Sequence, residues 1–310
     1  MIPFRNEEKN LPHLILSIQK LKEFPAEFIF INDHSSDQSS ELILNSSINN
    51  FKFLNLEKEN GKKQALAQGV YFSKTKYVLC IDADAWFNPN YFSYLSSKNI
   101  ADITVLPVKC RSTTLIQTFF DLDYYYLNAL SFLLSKYHIF IQASGANLLV
   151  NKELYIEYLK NDKNQNIKSG DDYFLLQYAI KKKFSIQNIC EADLSIQVQN
   201  PRLLKDFFHQ RIRWYGKTTL SFNSITFIIC LISLYCSFLW VLSLFSNYTL
   251  LSLGIKIIFD GILLFYYLFK IRELKKLFLL PIFSLLQIPY YLLIIFLTLF
   301  WKVNWKNREI

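Results

Sequence analysis

The chain has 310 residues, of which 52% are hydrophobic, 17% aromatic and only 19% charged, with a net charge of +9. So apolar a chain is not disordered, and seven glycines and five cysteines exclude collagenous and disulfide-stapled folds. The basic excess is modest and much of it flanks hydrophobic runs, so anionic lipid is the expected polyanionic partner and no nucleic acid is expected.

Charge is spread unevenly. No Asp, Glu, Lys or Arg occurs from Thr218 to Ile255, a run of 38, or from Leu277 to Trp301, a run of 25. Three parts are predicted: a charge-rich, water-soluble domain over 1–200, an amphipathic interface helix over 201–217 and a membrane region over 218–310.

In chain order, the opening Met-Ile-Pro-Phe-Arg-Asn-Glu-Glu has no apolar run of the signal-peptide kind, and it leaves a first strand of no more than about three residues. Residues 8–22 have helical periodicity. The strand-like Phe28–Ile31 is followed by Asn32-Asp33-His34-Ser35-Ser36-Asp37, which taken alone is a turn and helix cap. A helical stretch over 36–47, an apolar run over Phe51–Leu56 and a second helical stretch over 62–74 come next. Tyr77–Ile81 then leads into Asp82-Ala83-Asp84. Two carboxylates one residue apart at a strand end reach the same side of a crevice, as Mg²⁺ or Mn²⁺ ligands do; a solvated turn explains them equally well in isolation. Asp102–Val108 is a further strand. Strands alternating with helices predict a parallel sheet covered on both faces, with ligands beyond the C-terminal strand ends.

Ser169-Gly170-Asp171-Asp172 opens a helix reaching Lys182, where the helix dipole favours acidic residues. Gln210-Arg211-Ile212-Arg213-Trp214 lies on a helix with an apolar stripe of Leu204, Phe208, Ile212 and Tyr215, expected to rest on a membrane. Gln210, Arg213 and Trp214 are expected on the other side, with Arg202, Lys205, Arg211 and Lys217 facing anionic headgroups. Spans are predicted at about 224–246, 249–269 and 277–301. The basic loop Lys270–Lys276 puts itself and the water-soluble domain in the cytoplasm, giving a multi-pass cell-membrane protein. Pro289 leaves two paths for the last segment, a straight crossing or a re-entrant hairpin. Lys256 and Asp260 are four apart and suited to an ion pair inside the bundle, with a transport role as the alternative. Cys80, Cys110, Cys190, Cys230 and Cys236 have no CxxC spacing, the last two lie in a predicted span, and reduced, buried thiols are expected, in keeping with a cytoplasmic domain.

Taken together and in this order, these motifs are far more specific than any one of them. The chain resembles glycosyltransferase family 2, the inverting GT-A enzymes, over about residues 1–217, and its tail resembles that of the membrane-anchored branch. The matching elements are Pro3-Phe4-Arg5-Asn6-Glu7, Asp33, Gly61-Lys62, Asp82 with Asp84, Gly145-Ala146-Asn147, Asp171-Asp172, and Gln210, Arg213 and Trp214 as QxxRW. The resemblance implies an α/β GT-A fold and transfer of a sugar from a nucleotide diphosphate to a lipid or lipid-linked acceptor hydroxyl. It implies Asp172 as the general base and Asp84 as ligand to a divalent metal, Mg²⁺ or Mn²⁺. Pro3, Glu7, Asp33, Lys62, Asp82, Gln210, Arg213 and Trp214 would bind the nucleotide sugar, and Gly145, Asn147 and Asp171 would lie on the acceptor side. The chain departs from the pattern at Asn32, often Asp in the family, and in its short first strand. Two alternatives are a membrane-anchored binding protein that has lost turnover and a processive polysaccharide synthase. The second is less expected, because such synthases usually carry membrane helices before the catalytic domain.

Overall fold

The computed structural model describes residues 1–22, 27–57, 60–162, 170–201, 203–218 and 249–300, with the backbone pairs 304–305 and 308–309. The span predicted at 224–246 lies outside these residues, as do Ser169 and Arg202. The chain divides into two compact units, Met1–Arg111 with Leu134–Gln199, and Ser112–Leu133 with Asn200–Ile310.

The first unit is an α/β sheet. Strands β1 (Ile2–Phe4), β2 (Phe28–Asn32) and β3 (Phe51–Asn55) pair in parallel, with Ile2 opposite Phe30 and Phe28 opposite Phe51. β1 has the three residues expected of it. Phe28 to Ile31 are buried consecutively, as in a parallel strand covered on both faces. β4 (Tyr77–Ile81) joins beside β1: the Met1 ammonium donates to the Leu79 carbonyl at 2.7 Å, and the Ile81 N–H donates to the Met1 carbonyl at 3.0 Å.

A run that sequence reasoning passed over, Asn147–Asn151, forms a strand antiparallel to β4 and to Ile103–Val105; the latter pairs in parallel with Ile186–Asn188. The segment Asp102–Val108, expected as one strand, is two. Pro107 has no N–H to continue a ladder, so Ile103–Val105 ends before it. Val108–Arg111 pairs instead with Ile196–Gln199, which also pairs with Trp86–Phe87.

Helices α1 (Leu11–Gln19), α2 (Ser39–Leu44) and α3 (Lys62–Phe72) fall within the predicted stretches. α3 buries Ala65, Leu66 and Val70 in a core shared with Ile29, Ile31, Val78 and Val150. Gly69 permits that approach, since a Cβ there would lie 3.0 Å from Met1 Sδ and 3.1 Å from Ile31 Cδ1. Cys80, Cys110 and Cys190 are buried thiols outside any disulfide, as expected.

The second unit is helical: Leu115–Ser135, Leu204–Thr218, Thr249–Lys270 and Leu280–Phe300. Thr249–Lys270 and Leu274–Thr298 are long and apolar enough to cross a membrane. The last helix runs unbroken through Pro289, so the hairpin alternative is not formed. Ser112–Leu133, within the stretch 1–200, groups with the C-terminal helices. The reason is polar as well as apolar. Asp121 pairs with Lys276 and accepts from Asn200, Asp123 pairs with Arg211, and Phe120 stacks on Phe207 with ring centroids 3.7 Å apart.

The expected Lys256–Asp260 pair is present at 2.5 Å and is the centre of a larger cluster. Asp260 also accepts from Ser284 at 2.7 Å and Tyr126 at 3.3 Å, and Lys256 reaches Gln287 at 2.7 Å. Removing one partner of a buried ion pair leaves an uncompensated charge, at a cost of about 3–5 kcal/mol. Asp260→Leu is therefore expected to lower the thermal midpoint of the detergent-solubilised protein by several degrees, and an unchanged midpoint would show that the cluster does not hold these helices together.

Candidate active site

The cleft of the first unit is built at the ends of β2 and β4 and the starts of two helices. Asp33 follows β2 and is only 4% exposed. Its N–H donates to the Phe4 carbonyl at 2.9 Å, and its Oδ1 accepts the Gly61 N–H at 3.0 Å. Gly61 has φ of +121°, a conformation open to glycine, and it sets the start of α3 so that Lys62 enters the cleft.

Lys62 Nζ lies 2.6 Å from Asp82 Oδ1. Burial pulls the Lys62 ammonium down in pKa, but the charges of Asp82, Asp171 and Asp172 together outweigh it and hold the group above the ordinary lysine range. Asp171 and Asp172 form the first turn of the helix Asp171–Lys182, entered through Gly170 in a left-handed conformation. Asp172 Oδ2 accepts the Gly145 N–H at 2.9 Å and Oδ1 accepts the Tyr173 N–H at 2.8 Å. Gly145 is where these groups meet: a Cβ there would stand 3.3 Å from Lys62 Nζ and 3.4 Å from Asp172 Oδ2. Lys62, Asp82, Asp172 and Gly145, predicted from four separate segments, are thus one constellation.

Burial pushes the Asp84 carboxyl up to about 7, with like-charge repulsion from Asp82 and Glu7 adding to the rise and Lys62 opposing it. A cation beside Asp84 would relieve that repulsion. Mg²⁺ and Mn²⁺ typically use one or two carboxylates with substrate phosphates, which fits Asp84 and Asp82. Among the described residues no group of three His, Cys, Asp or Glu could hold a metal without such a substrate.

Three other predicted residues have structural positions. Pro3 is buried within β1. The Glu7 carboxylate accepts from Asn10 at 2.7 Å, and its N–H donates to Ser39 at 2.8 Å. Asn147 was assigned to the acceptor side, but it is wholly buried. Its amide donates to the carbonyls of Pro107 at 2.8 Å and Leu194 at 3.0 Å and accepts from the Tyr91 hydroxyl at 2.6 Å. It ties strands together and does not line the cleft. Sequence reasoning missed the loop clamp beside it: Asn6 accepts from the Ser36 N–H at 2.8 Å, and Asn32 from the Ser35 N–H at 2.9 Å. The Asn and Ser residues clustered after two strands were the available signal.

The motif helix belongs to the second unit. Within the protein Phe207, Arg211 and Ile212 are buried, while Leu204 is 53% exposed. Arg211, expected at the headgroups, is fully enclosed because Asp123 supplies a counter-charge. Gln210, Arg213 and Trp214 are half-buried; side chains from Tyr215 onward lie outside the described residues.

This mixed α/β sheet, with carboxylates at its strand ends and a lysine at the start of the following helix, has a GT-A-like fold. In fold it is similar to a mannosyltransferase from Pyrobaculum calidifontis solved with GDP-mannose and Mn²⁺ (TM-score 0.53, 16% identity, 72% of this chain and 64% of that one). It also aligns with S. aureus TarS in complex with UDP (TM-score 0.46, 18% identity, 72% of this chain and 65% of that one). Residues 77–303 match glycosyl transferase family group 2 and residues 1–99 match glycosyl transferase family 2, and the chain belongs to this family of glycosyltransferases. It is also similar to the poly-beta-1,6-N-acetyl-D-glucosamine synthases of Staphylococcus aureus (40% identity over 80 residues) and Staphylococcus epidermidis (39% over 80). Each match covers 26% of this chain and 19% of the synthase, about a fifth of the relatives' length.

Two substitutions separate scaffold from chemistry. Asn147→Leu strands two carbonyls and a hydroxyl in the interior, at about 1–3 kcal/mol each, so the thermal midpoint should fall while donor KM stays unchanged. Gly145→Ala should keep the midpoint, yet lower turnover by about tenfold by displacing Lys62 and Asp172 from each other. The opposite pattern would reverse the two assignments.

Proposed function

We propose that the protein is an inverting glycosyltransferase that moves a sugar from a nucleotide diphosphate to a hydroxyl of a lipid or lipid-linked acceptor. The observation that carries this is the meeting of Lys62 and Asp172 at Gly145, with Asp82 paired to Lys62: a cation and a carboxylate beside one small space.

In this reading the acceptor hydroxyl oxygen attacks the anomeric carbon from the face opposite the diphosphate. The new C–O bond forms as the anomeric carbon–phosphate oxygen bond breaks, and its electron pair leaves with the nucleoside diphosphate. The hydroxyl proton passes to Asp172, a role typically worth 10²–10⁴-fold. Lys62 meets the charge growing on the diphosphate. A divalent cation, when bound, supplies further stabilisation of that charge, and Asp84 would hold it. Asp33 and Asp82 hold the base and ribose, and Asp171 supports the acceptor side. From the motif resemblance, Gln210, Arg213 and Trp214 also serve the substrates: Arg213 suits a diphosphate through bidentate hydrogen bonds, and Trp214 offers a flat apolar surface to a sugar or lipid.

Membrane attachment is proposed on the two apolar helices and the basic loop between them, with a multi-pass topology and the catalytic unit in the cytoplasm. The short likeness to the staphylococcal synthases supports a second reading, in which the acceptor is the end of a growing polysaccharide. Product length separates the two: single-sugar adducts extractable into organic solvent for the first, a polymer ladder for the second.

Asp172→Asn is expected to abolish transfer while leaving nucleotide-sugar affinity within a few-fold, whereas Asp33→Ala should weaken binding itself. Asp84→Asn and excess chelator should each stop transfer. Equal loss of binding in the first two variants would refute the division of roles, and full activity in chelator would remove the metal from the reaction.

A further inference from the structure

Arg211 lies within the Gln210–Trp214 motif without being one of its defining residues, yet it is the largest fully buried side chain among the described residues. A guanidinium withdrawn from water must be paired and hydrogen-bonded throughout. Its Nε donates to Asp123 Oδ2 at 2.5 Å, its Nη2 to the Phe120 carbonyl at 3.2 Å and its Nη1 to Gln210 Oε1 at 2.8 Å. The guanidinium carbon sits 4.5 Å from the Phe207 ring centre and 4.4 Å from that of Trp214. These rings come four residues before and three after it, on one face of the helix. One anchored cation therefore orients two motif side chains, the Gln210 amide by a hydrogen bond and the Trp214 indole by stacking. Asp123, itself fully buried, holds that cation in place.

We propose that Asp123 is a positioning residue for the transfer reaction: through Arg211 it fixes the orientation in which Gln210 and Trp214 are presented to substrate. The inference rests on the reading of Gln210 and Trp214 as substrate-binding. It distinguishes Asp123 from Asp121, two residues earlier, which pairs with Lys276 and Asn200 and touches no part of the motif.

The test uses the full chain in detergent and a panel of UDP- and GDP-sugars, with the fastest-hydrolysed donor as probe. Thermal midpoint, kcat and donor KM are measured for each variant. Asp121→Asn should lower the midpoint while kcat/KM, measured well below it, stays within about twofold. The pair Asp123→Leu with Arg211→Met leaves no unpaired buried charge, so its midpoint should stay near that of the parent. Its kcat/KM should nonetheless fall about tenfold or more, because Gln210 and Trp214 have lost their clamp. Parental kcat/KM in this double variant would make the pair merely structural and overturn the proposal. Arg211→Lys serves if the double variant does not fold. It keeps the charge beside Asp123 but lacks the planar fork that bonds Gln210 while stacking on Trp214. It should fold and lose turnover, and full turnover would overturn the proposal equally. Gln210→Ala and Trp214→Ala tell the two failures apart. If neither changes kcat/KM, the motif does not serve substrate and the proposal falls with that reading. If both lower it while the Asp123/Arg211 variants do not, only the positioning role fails.

Discussion

The ammonium of Lys62 is the charge on which the cleft depends. Asp82, Asp171 and Asp172 come from the end of one strand and the start of a distant helix, and without a cation among them their charges would repel. Lys62 lies 2.6 Å from Asp82, and the three carboxylates hold it protonated despite its burial. Its own position follows from the Gly61 turn, which is fastened to Asp33. Asp33, Lys62 and the carboxylates of Asp82, Asp171 and Asp172 are therefore linked through one short segment of chain. The chain belongs to a glycosyltransferase family, and the carboxylate–lysine network is what the proposed transfer would use.

Much of this was legible in the sequence because strand ends are legible. Phe28–Ile31 and Tyr77–Ile81 are short apolar runs whose following residues had to lie at the crevice, and Asp33, Asp82 and Asp84 are found there. Gly145 and Asp172 could be matched only as motif fragments, since their meeting depends on the antiparallel strand Asn147–Asn151. That run of two leucines and a valine between asparagines has no periodicity that separates strand from helix. Asn147 is matched through the Gly-x-Asn resemblance, and a motif match says nothing of the interior carbonyls and hydroxyl that its side chain bonds.

The helical unit was less legible, and the reason is again physical. Leu115–Ser135 is apolar enough to pass for core, and its two aspartates look like isolated polar residues until their partners are known. Those partners, Lys276 and Arg211, lie 155 and 88 residues away. Arg211 of Leu204–Thr218 is expected at the headgroups because periodicity ranks an arginine as a surface residue, but it is buried. A guanidinium given a carboxylate, a carbonyl and two aromatic rings is an interior one. Two buried ion pairs thus attach a helix from the middle of the chain to the motif helix and to the loop between the apolar helices.

The central claim is that acceptor attack occurs opposite the diphosphate, with Asp172 taking the proton. The most direct test is the anomeric configuration of the transferred sugar, read by proton NMR on product made from an α-linked nucleotide sugar. The account predicts a β-linked product. An α-linked product would require a retaining mechanism and would contradict it.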